Sequence, residues 1–155
     1  MQMTRWDVRA TSDAWEAVMT AHARLVTSFS SEGIFTELSM REYDVLYTLS
    51  KQDEPMRLSD LRDSVLLSQP ALSRLVDRLV ERGLLERCTN DQDRRALSIS
   101  LSDAGRHLQR EVGRAHALSV ARELSAALDP EEIDELHRLA AKLANHPRQH
   151  PRKER

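Results

Sequence analysis

The sequence predicts a mainly α-helical chain with one small β wing. The expected fold is a winged helix-turn-helix of about six helices and a two-stranded hairpin, joined to a helical dimerisation region. Three observations carry this prediction. Apolar residues recur at spacings of three and four through most of the 155 residues. The period shortens to two only around residues 84–101. A tight helix–helix connection comes shortly before that change. With only 4 Gly and 5 Pro against 31% charged residues, collagen-like and extended disordered chains are excluded.

The elements follow in order. The first helix is expected to begin at Ser12 or Asp13, because Asp13 and Glu16 have capping-box spacing. Its stripe is Trp15, Val18, His22, Leu25, Val26 and Phe29, and Gly33 ends the loop after it. A second helix is expected from about Ser39 to Ser50, with Met40, Tyr43, Leu46 and Tyr47 inward, before a polar stretch closed by Pro55. A short third helix covers roughly Leu58 to Val65. A fourth starts at the N-cap Ser68, takes Pro70 in its first turn where a missing N–H costs nothing, and ends at Gly83. Strands at 84–89 and 96–101 flank a polar turn running from Asn90 to Arg95. Ser102 then caps a helix that can reach Leu128, about 40 Å at 1.5 Å per residue. Asp129, Pro130 and Glu132 give the last helix its start, and Ile133, Leu136, Leu139, Ala140 and Leu143 give it an apolar face. This divides the chain into an N-terminal dimerisation helix (1–38), a winged segment (39–101), and C-terminal dimerisation helices with a basic tail (102–155).

Charge and composition limit the functions. Lys plus Arg number 23 and Asp plus Glu 25, so net charge alone does not point to nucleic acid. The distribution is uneven: residues 129–141 are acidic, whereas the tail from Lys142 to Arg155 is basic. No apolar run is long enough to span a membrane, and Met1 to Ala10 lacks the apolar stretch of a secretory signal. The single cysteine, Cys88, cannot form an internal disulfide, and a cytoplasmic location is expected. Cys88 on a wing strand reads as a packed thiol. The scattered histidines suggest no metal site, and no cofactor is expected. No nucleophile motif or phosphate-binding glycine loop supports an enzyme.

The winged segment carries the functional reading. On the fourth helix Leu72, Leu75, Val76 and Leu79 form one inward stripe, leaving Pro70, Ser73, Arg74 and Asp77 on the opposite side. Ser68 and Gln69 sit at its N-terminus, where free N–H groups favour phosphate. Gln69 suits an adenine edge, Arg74 a guanine or phosphate, Pro70 a thymine methyl and Ser73 a phosphate. Arg94 and Arg95 at the hairpin have the reach and charge for a narrow minor groove. A winged module that binds another protein would show the same pattern, and salt dependence separates the two.

The stretch LSQPALSRLVDRLVERGLLER at 67–87, followed by DQDRRALSISLSDAG at 91–105, resembles the MarR family of transcriptional regulators. The Asp93-Arg94-Arg95 turn and the Leu101–Gly105 junction carry most of that resemblance, which extends over about residues 12–145. It implies a homodimer bound to double-stranded DNA at a pseudo-palindromic operator, most commonly as a repressor released by a small-molecule effector. Ser68, Gln69, Pro70, Ser73, Arg74 and Arg95 carry over as DNA contacts, and Asp93 as the wing acid that braces an arginine. Arg62 stands where the family more often has a small residue. On its apolar stripe His22 reads first as a hydrogen-bonded core histidine; the alternative is the family's effector pocket, which implies Trp15, His22 and Arg106 as a lining suited to an anionic aromatic ligand. Trp15, Asp63, Arg95 and Arg106 also offer the residue types used by a urate-responding branch.

Overall fold

The computed structural model describes residues 7–65, 67–90 and 93–146. They fall into two compact units, Met1–Ala117 and Leu118–Arg155. The elements are α1 (Val8–Ser31), α2 (Met40–Ser50), β1 (Met56–Arg57), α3 (Leu58–Ser64), α4 (Gln69–Glu81), β2 (Leu85–Asn90), β3 (Asp93–Leu101), α5 (Asp103–Ser125) and α6 (Pro130–Ala144). The mainly helical, winged architecture is as the sequence predicts.

Local signals set most boundaries. Ser39 and Glu42 close a capping box at the start of α2. Gly83, at φ 70°, ends α4 in the left-handed conformation that glycine adopts without penalty. Two bonds complete that end: Gly83 N–H donates to the Val80 carbonyl and Leu84 N–H to that of Leu79, both at 2.9 Å. The core of the first unit is centred on Leu38, Val45, Leu46, Leu61, Leu72, Leu79, Leu85 and Ile99, each almost wholly buried. Burial of each such leucine stabilises the fold by roughly 1.5–3 kcal/mol.

Five details differ from the sequence reading. α1 begins at Val8, because Asp7 and not Asp13 caps it; the Asp7 carboxylate accepts from Arg9 N–H at 3.0 Å and Ala10 N–H at 3.1 Å. The wing is a three-stranded antiparallel sheet in the order β1-β3-β2, since Met56 pairs with Ile99 and Arg57 with Ser98. β3 starts at Asp93, with Asn90 opposite, so Asp93, Arg94 and Arg95 belong to the strand backbone and not to a six-residue turn. The register shifts between Thr89 and Asn90, and the connecting residues Asp91 and Gln92 lie outside those described. Tyr47 is exposed: it stacks on Tyr43 at 5.8 Å and carries the Lys51 ammonium 3.9 Å above its ring. α5 ends at Ser125, although Leu128 N–H still donates to the Leu124 carbonyl at 2.9 Å, a final turn frayed by one or two residues.

In the second unit Asp129 and Glu132 close a capping box around Pro130. α6 has no buried residue, and Leu136, Leu139 and Leu143 are all exposed along it. Trp15 and Val18 on α1 are likewise exposed, so of the first helix's predicted stripe only Phe29 is buried. No helix among the described residues is long and apolar enough to cross a membrane.

Candidate nucleic-acid interface

α4 has two chemically distinct sides. Its buried residues are Leu72, Leu75, Val76 and Leu79, as the 100° spacing requires. Ser68, Gln69, Pro70 and Arg74 are exposed and Ser73 is half-buried, so the residues expected to meet DNA gather on the free side and first turn of one helix. Ser68 occupies the N-cap with extended backbone, but its hydroxyl makes no capping hydrogen bond. The Gln69 and Ala71 N–H groups and that hydroxyl are therefore available to an anion such as a phosphate, while Pro70 has no N–H to offer.

Asp77 offsets this positive edge. Its carboxylate pairs with the Arg87 guanidinium on β2, and both side chains are about half exposed. Leu85 and Arg87 alternate with Cys88 along β2, which places Arg87 on the α4 side. Cys88 is half-buried, with its sulfur 3.3 Å from the Ser100 hydroxyl. Arg62, the departure from the family pattern, is accommodated at the surface beside Asp63 at 3.3 Å. Asp93, Arg94 and Arg95 open β3 immediately after the hairpin connection, at the far end of the wing from α5.

A cavity of about 620 Å³ lies in the first unit between α1, α2 and the connection into α4. That is a common size for a small-molecule site. Its polar lining includes His22, Arg41 and Asp44, and its apolar lining includes Val26, Phe35, Val65 and Leu67. Of the residues expected to form a ligand pocket, His22 lines this cavity. Trp15, Asp63 and Arg106 are exposed and lie elsewhere. Sequence reasoning missed Arg41 and Asp44, whose one-turn spacing on α2 would place both on one helix face.

Behind the cavity His116 sits in an aromatic box, with ring centroids 4.9 Å from Phe29, 5.3 Å from Phe35 and 5.6 Å from Tyr43. Its Nδ1 is buried with no hydrogen-bond partner among the described residues. Burial raises the Tyr43 phenol pKa, partly offset by a hydrogen bond with Gln109. Asp44 remains open to solvent but is walled by protein, and this desolvation raises its carboxyl pKa while His116 pulls it down. The folded state thus holds the Asp44 proton more tightly than the unfolded chain, and stability is lost as pH rises through the raised value. Asp44→Asn is expected to melt at a higher temperature than the wild type at about pH 7. That advantage should disappear below the ordinary carboxylate range. A lower melting temperature for the variant at neutral pH would contradict this.

Comparison with known proteins agrees with this geometry. A family model described as MarR family matches residues 36–96, the span from the connection before α2 into β3 of the wing. The HTH-type transcriptional regulator PecS of Dickeya dadantii is 30% identical over 112 residues, covering 71% of this chain and 67% of that protein. The crystal structure of AbsC, a MarR family transcriptional regulator from Streptomyces coelicolor, superposes with a TM-score of 0.75 at 29% identity, covering 92% of this chain and 97% of that one. The fold is also that of Bordetella bronchiseptica BpsR, whose DNA binding is regulated by 6-hydroxynicotinic acid. There the TM-score is 0.75 at 20% identity, over 95% of this chain and 99% of that one. An exposed polar helix backed by a leucine core, a hairpin wing beside it and kinship over most of its length lead to one conclusion: this chain belongs to the MarR family of DNA-binding transcriptional regulators, and it is not an enzyme.

Proposed function

We propose that the chain acts as a homodimer that represses transcription by seating its two α4 helices in successive major grooves of a pseudo-palindromic operator. The observation that carries this reading is the exposed side of the N-terminal half of α4, where Ser68, Gln69, Pro70 and Arg74 stand clear of the core while Leu72, Leu75, Val76 and Leu79 are buried on the other side. Gln69 and Arg74 supply base-edge chemistry, and Ser68 and Ser73 supply phosphate contacts. Arg94 and Arg95 follow the flank into the minor groove, with Asp93 bracing the wing. The exposed apolar faces of α1 and α6 supply the surface for a two-fold partner.

The cavity is the effector site in this reading. Arg41 and His22 attract a carboxylate, while Phe35 and Val26 receive an aromatic ring. BpsR's response to an aromatic acid is in keeping with that ligand class. A bound ligand loosens the operator only if it favours the dimer arrangement that does not fit DNA.

Arg74→Ala is expected to weaken binding to a selected operator by about 1–3 kcal/mol and to relax discrimination at one base pair. Fluorescence anisotropy across a salt series checks both, and the same complex titrated with salicylate checks release. Equal affinity for variant and wild type would remove Arg74 from the interface. A salt-independent affinity would favour a protein-binding module instead.

A further inference from the structure

The two ends of α4 are held very differently. At the N-terminal end Leu67 and Leu72 pack onto the core, but the Ser68 hydroxyl caps nothing, and Gln69 and Pro70 are exposed. At the C-terminal end three other segments converge. The Ser102 hydroxyl donates to the Gly83 carbonyl at 2.6 Å and accepts from Gly105 N–H at 3.0 Å, while Ser102 N–H donates to the Leu84 carbonyl at 3.2 Å. One side chain thus caps the start of α5 and ties it to the end of α4. The carbonyl-rich end of one helix meets the N–H-rich end of the next, so their dipoles attract. Gly105 lies so close that a Cβ there would stand 2.0 Å from the Leu84 carbonyl oxygen.

Arg82 adds a second fastening. Its guanidinium donates to Glu42 Oε1 at 3.2 Å and to the Glu37 carbonyl at 2.5 Å. Glu42 is itself fixed, because its other oxygen accepts from Ser39 N–H at 2.8 Å and from the Ser39 hydroxyl at 2.9 Å. Arg82 therefore joins the end of α4 to the start of α2.

We propose that Ser102 and Arg82 are positioning residues for sequence recognition: they make the C-terminal end of α4 a fixed pivot, so that the N-terminal end, held by apolar packing without a side-chain cap, is aimed at the base edges. Neither residue touches DNA in this arrangement. The proposal rests on α4 being the helix that reads DNA. Loss of the pivot lets the first turn wander by the small distances that base hydrogen bonds do not tolerate. Contacts that depend only on total charge survive such wandering.

The test measures the ratio of affinities for an operator selected from random duplexes and for a scrambled duplex at the same salt. Ser102→Ala is expected to weaken operator binding about ten-fold while scrambled-duplex binding stays within about two-fold, and Ser102→Thr, which keeps the hydroxyl, is expected to restore the ratio. Arg82→Lys, which keeps the charge but not the forked donor geometry, is expected to lower the ratio in the same direction and carries the test should Ser102→Ala fail to fold. A merely structural role would lower the melting temperature and leave the ratio of the folded protein unchanged; that result, with Arg74→Ala still impaired, would overturn the pivot alone. Unimpaired binding by Arg74→Ala would instead remove α4 as the reading helix, and the pivot with it.

Discussion

Replacing Leu139 with aspartate is expected to turn the proposed dimer into monomers and to lower operator affinity by about 10²–10⁴-fold, the range lost when two linked binding events become one. The residue is 45% exposed on a helix that buries nothing, between Leu136 and Leu143 on the same side. An amphipathic helix of 15 residues gains little stability in water from its own hydrogen bonds. Its capping box fixes where it starts but gives its leucines nothing to pack against. A partner that covers this face would have to desolvate the aspartate without a counter-charge, which costs more than the contact returns. The fold of the first unit should be untouched, since its buried core contains no residue beyond Val112. Light scattering reads the mass and anisotropy the affinity. A dimeric variant with wild-type affinity would contradict the expectation.

Gly105→Ala should produce the largest loss of stability of any single methyl added to the chain, about 2–3 kcal/mol by urea denaturation. Alanine is ordinarily worth about 1 kcal/mol more than glycine inside a helix. Here that gain is outweighed, because the new carbon would lie 2.0 Å from the Leu84 carbonyl oxygen and 2.9 Å from its carbon. Those are backbone atoms at the end of α4 and cannot rotate aside. Gly113 provides the control: a Cβ there would meet the Tyr43 hydroxyl at 3.1 Å and Gln109 Nε2 at 3.3 Å, side-chain ends that need give by only a few tenths of an ångström. Gly113→Ala should therefore be close to neutral. Equal effects at the two positions would show that the α4–α5 junction is not tight.

What the sequence revealed follows from how far apart the determinants lie along the chain. The start and stop of α4 and its buried stripe are legible because Ser68, Pro70, Gly83 and the leucines act over one to four residues. The box at Asp129 is legible for the same reason. The start of α1 misleads because Asp7 is followed at the third position by Ala10, whereas Asp13 has Glu16 at the spacing of a complete box. β1 is only two residues long and exists because Met56 pairs with Ile99, a partner 43 positions away that no local pattern announces.

The candidate site divides in the same way. Arg74 could be placed from periodicity and Gln69 from the N-cap signal beside it, but the Arg82–Glu42 bond spans 40 residues and the Arg87–Asp77 pair crosses from strand to helix. The cavity draws on α1, α2 and the connection before α4. His22 was legible from the α1 stripe, while no local pattern singles out Arg41 and Asp44, which the tertiary fold brings together.

Paired recognition of DNA by two copies of α4 is tested by selection from a random duplex library at about 0.15 M salt. An enriched inverted repeat whose half-site centres lie about 34–36 Å apart, one turn of the duplex, is the expected result. Retained fragments with no shared sequence, or with one unpaired half-site, would contradict it.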